Sequence, residues 1–111
     1  MKWFSACVRL MCLVDGIGGV RYEDDAIVLK AANWDDARTR ALDLGRAKEK
    51  TYRNSENRQV RWALERLVTL DELGEIVDGL EIYSQPSNLG IQAVPFDQEF
   101  RPELTEPTQS V

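Results

Sequence analysis

The sequence predicts an α+β fold in which an antiparallel four-stranded sheet carries one main helix packed on one face, in the order β-β-α-β-β. Three observations lead there: apolar alternation over residues 3–14, a helical-period stripe that follows Asn33, and alternation that resumes at Gln59. A chain of 111 residues makes about one domain with one core. With 43% hydrophobic and 30% charged residues, its composition is that of a globular protein.

The first strand places Phe4, Ala6, Val8, Leu10, Cys12 and Val14 on one face. Trp3, Ser5, Cys7, Arg9, Met11 and Leu13 fall on the other, so the first set makes the better core. Asp15-Gly16-Ile17-Gly18-Gly19 supplies residues that tolerate positive φ, and the β-rich run Ala26 to Ala32 completes a hairpin with a long loop. The acidic triplet Glu23-Asp24-Asp25 reads as a solvated loop or edge where that second strand begins.

Asn33 is a good N-cap, and Asp35 and Asp36 put negative charge in the first helical turn, where the peptide dipoles favour it. Trp34, Ala37, Ala41 and Leu44 form the apolar stripe, and Gly45 weakens or ends the helix. Residues 52–57 read as a polar loop. From Gln59, Val60, Trp62 and Leu64 face the core, and the phase slips near Glu65 to Arg66, the mark of a bulge or a strand end. Thr69 with Glu72 resembles a capping box, predicting a short helical turn over Leu70 to Ile76, and Asp78-Gly79 turns into a short fourth strand, Leu80 to Ser84. Residues 1–84 thus form the domain. Residues 85–111 hold all four prolines and become an acidic, partly disordered extension, of which Leu89 to Phe96 docks on the body.

Charge is divided unevenly. Residues 38–66 hold nine of the fourteen Lys and Arg against Asp43, Glu49, Glu56 and Glu65, whereas residues 67–111 set Arg101 alone against nine carboxylates. Such a division steers charged partners. Chemistry is sparse by comparison. With no histidine, Ser-His, Cys-His and His-ligated metal schemes are excluded. Cys7 and Cys12, five apart, lie on opposite faces of one strand and read as small buried apolar residues. The Asp15 to Gly19 run lacks the GxGxxG spacing and leads into a strand, so it is a turn and not a phosphate loop. Carboxylates in exposed turns read as solvated rather than metal-binding. The sequence therefore predicts no catalytic residues, no metal and no cofactor, and a protein that is not an enzyme.

Two binding surfaces remain. Asp71, Glu72, Glu75, Asp78 and Glu81 could share one acidic edge suited to a basic protein partner. Arg46, Lys48, Lys50, Arg53, Arg58 and Arg61 surround Tyr52 and Trp62, an arrangement able to grip phosphate, although the net charge of −5 counts against nucleic acid. No run reaches the roughly 18 apolar residues that span a bilayer, and Arg9 interrupts the N-terminal apolar stretch, so a cytoplasmic address is expected.

Trp3-Phe4-Ser5-Ala6, Ile27-Val28-Leu29-Lys30-Ala31, Tyr52 and Asn54, Val60-Arg61-Trp62 and Glu81-Ile82-Tyr83-Ser84, in that order and spacing, resemble a bacterial domain of unknown function, DUF4288, over about residues 1 to 84. The resemblance implies a small stand-alone domain and no assigned activity. The leading functional expectation is a small non-catalytic binding protein, most concretely an immunity-type inhibitor that presses its acidic edge onto the basic active-site cleft of a bacterial toxin. A nucleic-acid-associated module using residues 46–61 comes second. An accessory or self-associating subunit that pairs through a strand edge comes third.

Overall fold

The computed structural model describes residues 1–74, 78, 84–88 and 94–107. Two long antiparallel strands, β1 (Lys2–Val14) and β2 (Gly18–Ala31), are followed by helix α1 (Trp34–Arg46), a short strand β3 (Lys50–Arg53), a third long strand β4 (Gln59–Glu72) and β5 (Ser84–Asn88). They form one sheet in the order β3-β4-β1-β2-β5, so β1 is central and every pairing is antiparallel. The helix lies on one face. The expected α+β class and β-β-α-β-β order hold, and the segment read as a loop from Tyr52 contributes Tyr52 and Arg53 to the small edge strand β3.

The even-numbered residues of β1 face the helix. Phe4, Ala6, Val8, Leu29, Ala31, Leu64, Leu67 and Leu70 pack there against Ala37, Ala41 and Leu42. Leu42 is buried whereas Leu44 is only partly so, because Ala37, Ala41 and Gly45 set the contact line at i+4 steps and Leu42 flanks it. Gly45 makes the close approach possible, since a Cβ there would come within 2.9 Å of Leu64 Cδ1. The Asn33 side chain accepts from the Asp36 amide at 2.8 Å and the Asp36 carboxylate accepts from the Ala32 amide at 2.9 Å, a reciprocal cap that fixes where α1 begins.

Two expectations are corrected. Strand β2 starts at Gly18, so Glu23, Asp24 and Asp25 lie within it rather than in a loop, held by pairing with Leu10, Arg9 and Val8. Leu70 to Glu72 belong to β4, not to a helical turn. The register of β4 on β1 shifts twice, between Cys7 and Val8 and between Arg9 and Leu10. Each bulge adds a residue, so Leu64, Leu67 and Leu70 reach the core three residues apart in a strand. The shift between Arg9 and Leu10, where Glu65 is the extra residue, is the one foreseen near Glu65 to Arg66. The predicted strand Leu80 to Ser84 falls outside the described residues except for Ser84, which opens β5, and Ile76 also lies outside them.

The far face of the sheet has its own cover. Met11, Leu13 and Ala63 are buried beneath Val94, Phe96 and Phe100. That C-terminal segment is held by arginines of the middle region. Arg61 donates to the carbonyls of Phe96 (3.0 Å) and Gln98 (2.7 Å), Arg38 donates to that of Thr105 (3.0 Å), and Arg46 pairs with Glu103 at 2.7 Å. Part of the charge division read in the sequence is thus satisfied within the chain.

Candidate functional site

The two predicted surfaces fare differently. Of the acidic set, Asp71 and Glu72 end β4, Asp78 is exposed in a turn, and Glu75 and Glu81 lie outside the described residues. Glu72 meets Lys2 at 3.3 Å while both side chains stay more than half exposed, a pair worth little in water. The basic set does not converge. Besides Arg46 and Arg61, Arg53 donates to the Asn57 carbonyl (3.0 Å) and Arg58 to the Asp15 carbonyl (2.9 Å). Lys48 and Lys50 stand apart from these, on the helix side of the sheet.

There they line a feature that the sequence reading missed. Past the C-terminal end of α1, on the helix side of the sheet, a cavity of about 240 Å³ opens between Leu10, Glu23, Asp25, Lys48, Lys50 and Trp62. Period-two geometry assembles it. Glu23 pairs with Leu10 and Asp25 with Val8, while Lys50 pairs with Trp62, which pairs with Cys12. Carboxyls therefore rise on the β2 side and a lysine on the β3 side, with Leu10 and Trp62 as the floor. Lys48 reaches across from the loop after α1, its Nζ 3.6 Å from Asp25 Oδ2.

Asp25 is 7% exposed, and its Oδ1 is buried without a hydrogen-bond donor from the described residues. The Glu23 carboxyl is held above its ordinary value of 4.5, first by a hydrogen bond to Asp25, then by burial and by the Asp25 charge, with Lys50 and Lys48 pulling the other way. The fold thus favours the protonated form of Glu23 relative to a free carboxyl. The sign of its effect on stability follows: the folded state binds this proton more tightly than the unfolded one, so Glu23 makes stability fall as pH rises from 4.5 through the raised value. Urea unfolding across about pH 4 to 8 should show Glu23→Gln gaining stability over the wild type toward neutral pH and losing that part of the slope.

Trp62 is braced from several sides. Its Nε1 donates to the Tyr52 hydroxyl at 3.2 Å, and Arg21 and Lys50 approach the ring at 5.4 and 5.8 Å. On the opposite face, Arg9 binds Asp24 at 2.7 and 3.0 Å and lies 4.1 Å from the Tyr22 ring, a placement that leaves Cys7 beside a carboxylate. Burial, then the Asp24 charge, pushes the Cys7 thiol up to about 11, and burial raises Cys12 as well. Both cysteines are free, and neither is an activated thiolate. Among the described residues no three Cys, Asp or Glu side chains converge on a metal position, and no helix is long and apolar enough to cross a membrane.

The model of a family described as "Domain of unknown function (DUF4288)" matches residues 3–84. No curated protein and no solved structure matches the chain.

Proposed function

The chain belongs to the DUF4288 family, whose description carries no activity, and on the chemistry of its own surface we propose that it is a small non-catalytic binding protein that takes a basic protein partner in the cytoplasm. One observation carries this reading: Arg38, Arg46, Arg53, Arg58 and Arg61 are each engaged by carbonyls or carboxylates of the same chain, so that with a net charge of −5 the protein meets its surroundings chiefly through carboxylates. The same engagement counts against nucleic acid, which needs cations free to displace counterions. The raised thiols of Cys7 and Cys12 add support for a role without nucleophilic chemistry.

In its specific form the proposal is an immunity-type inhibitor that lays Asp71, Glu72 and Asp78, with Glu75 and Glu81, onto the basic cleft of a toxin. Opposite charges on two surfaces accelerate their encounter, and the acceleration fades with salt. The test is capture of a partner from the host lysate by the tagged chain after nuclease treatment, followed by association kinetics of that partner with the variant Glu72→Gln, Glu75→Gln, Asp78→Asn. We expect one stoichiometric protein whose on-rate falls about tenfold in the variant or in high salt. An unchanged on-rate overturns the acidic surface. Capture that disappears with nuclease returns the basic segment to first place.

A further inference from the structure

We propose that the cavity between Glu23, Asp25, Lys48, Lys50 and Trp62 is a binding site for a small zwitterion of the size and charge pattern of a free α-amino acid, its ammonium held by Glu23 and Asp25 and its carboxylate by Lys50 and Lys48. The inference is independent of the protein-partner reading, and it rests on other residues.

The arrangement of charge leads to this ligand class. Two acids stand on one wall and two lysines on or across from the other, so with both carboxyls ionised the lining is neutral in sum but separated in space. A simple cation would meet Lys48 and Lys50, and a simple anion would meet Asp25 and Glu23. A ligand carrying both signs within a few bonds satisfies both walls. The cavity of about 240 Å³ is large enough for an amino-acid-sized molecule, and Leu10 and Trp62 give its carbon skeleton an apolar and aromatic base.

The second strand of the argument is Asp25 itself. A carboxylate 7% exposed, with one buried oxygen that receives no donor from the described residues and the other only 3.6 Å from a lysine, is an expensive group to keep in a protein interior. An ammonium group offers three donors to these oxygens, and it turns the carboxyl pair from a liability into a receptor. Lys48, 40% exposed and, among the described residues, paired at long range with Asp25, can turn its ammonium to the ligand's carboxylate once Asp25 has another partner.

The experiment uses the full chain. Thermal unfolding is followed with each standard L-α-amino acid at about 10 mM, and any that shifts the transition is titrated calorimetrically into the wild type, Glu23→Gln, Lys50→Met and Lys48→Met. At tenfold excess over Kd a ligand of the folded state raises the midpoint of a domain this small by several degrees. At least one amino acid is expected to do so, with affinity falling tenfold or more in Glu23→Gln and in Lys50→Met. Two analogues of the best ligand check the charge pattern: the amine lacking the carboxylate and the N-acetyl acid lacking the ammonium should each bind at least tenfold more weakly. Lys50 is exposed, so its variant folds and keeps the test interpretable even where Glu23→Gln alters stability. The proposal is overturned if no amino acid moves the midpoint, if both wall variants bind as the wild type does, or if either singly charged analogue binds as well as the zwitterion.

Discussion

Phe4→Ala is expected to remove about 3 to 5 kcal/mol, a large part of the roughly 5 to 15 kcal/mol that holds a domain of this kind together. Phe4 is 1% exposed, sits in the central strand and packs beneath the helix with Ala37, Ala41 and Leu42 on one side and Leu29 and Leu70 on the other. Both flanking strands are fixed by their ladders to β1, so the space left by the ring cannot close by a strand moving inward. The helix cannot settle either, because its contact line already runs through alanines and Gly45 at close approach. Urea unfolding should show a lower midpoint at unchanged slope, and the variant should be partly unfolded near body temperature. Leu104→Ala is the control. That side chain is 77% exposed, and its loss should fall within about 0.5 kcal/mol of the wild type.

Gly18→Ala carries the second large effect, and it acts through a different part of the molecule. Gly18 has φ +92, where a side chain adds roughly 1 to 3 kcal/mol of strain. The new methyl group would also land on the Val94 carbonyl oxygen, the acceptor of the Gly19 amide. That oxygen belongs to backbone and has nowhere to go without lifting residues 94–100 off Met11 and Leu13. The expected outcome is therefore a destabilisation larger than strain alone, together with rapid amide exchange and protease cleavage in residues 94–107. Gly16→Ala separates the two contributions. Its φ of +84 is as demanding, but its methyl meets the end of the Arg58 side chain, which can swing away. It should cost the strain and leave the C-terminal segment protected.

The long elements were legible because each obeys a single period over its whole length: twelve alternating residues in β1, the capped stripe of α1, the return of alternation at Gln59. What escaped shows where that rule fails. In β4, two bulges turn a two-residue repeat into a three-residue one at Leu64, Leu67 and Leu70, and Thr69 with Glu72, which has the pattern of a capping box, is carried on as strand by its pairing with β1. The cavity escaped for a related reason. Arg21, Glu23 and Asp25 continue, at period two, the face that bears Leu29 and Ala31, but three consecutive acids look like solvent-facing loop when polarity is weighed before periodicity. Extending the alternation backwards from Leu29 would have put Asp25 in the interior. Strand β3 left no comparable signal, since all four of its residues are exposed and only pairing with β4 makes it a strand.

One small contact bears on what the β3 edge of the sheet offers to another strand. Strand β3 accompanies β4 only as far as Trp62, and the next outward amide, that of Leu64, is taken by the Glu49 carboxylate at 2.9 Å. An incoming strand from another molecule that tried to continue the ladder there would have to expel an ionised side chain and bring its own backbone against a negative charge. Among the described residues, Glu49 thus occupies the backbone donor of β4 that lies just past the end of β3, where an added strand would otherwise begin to pair.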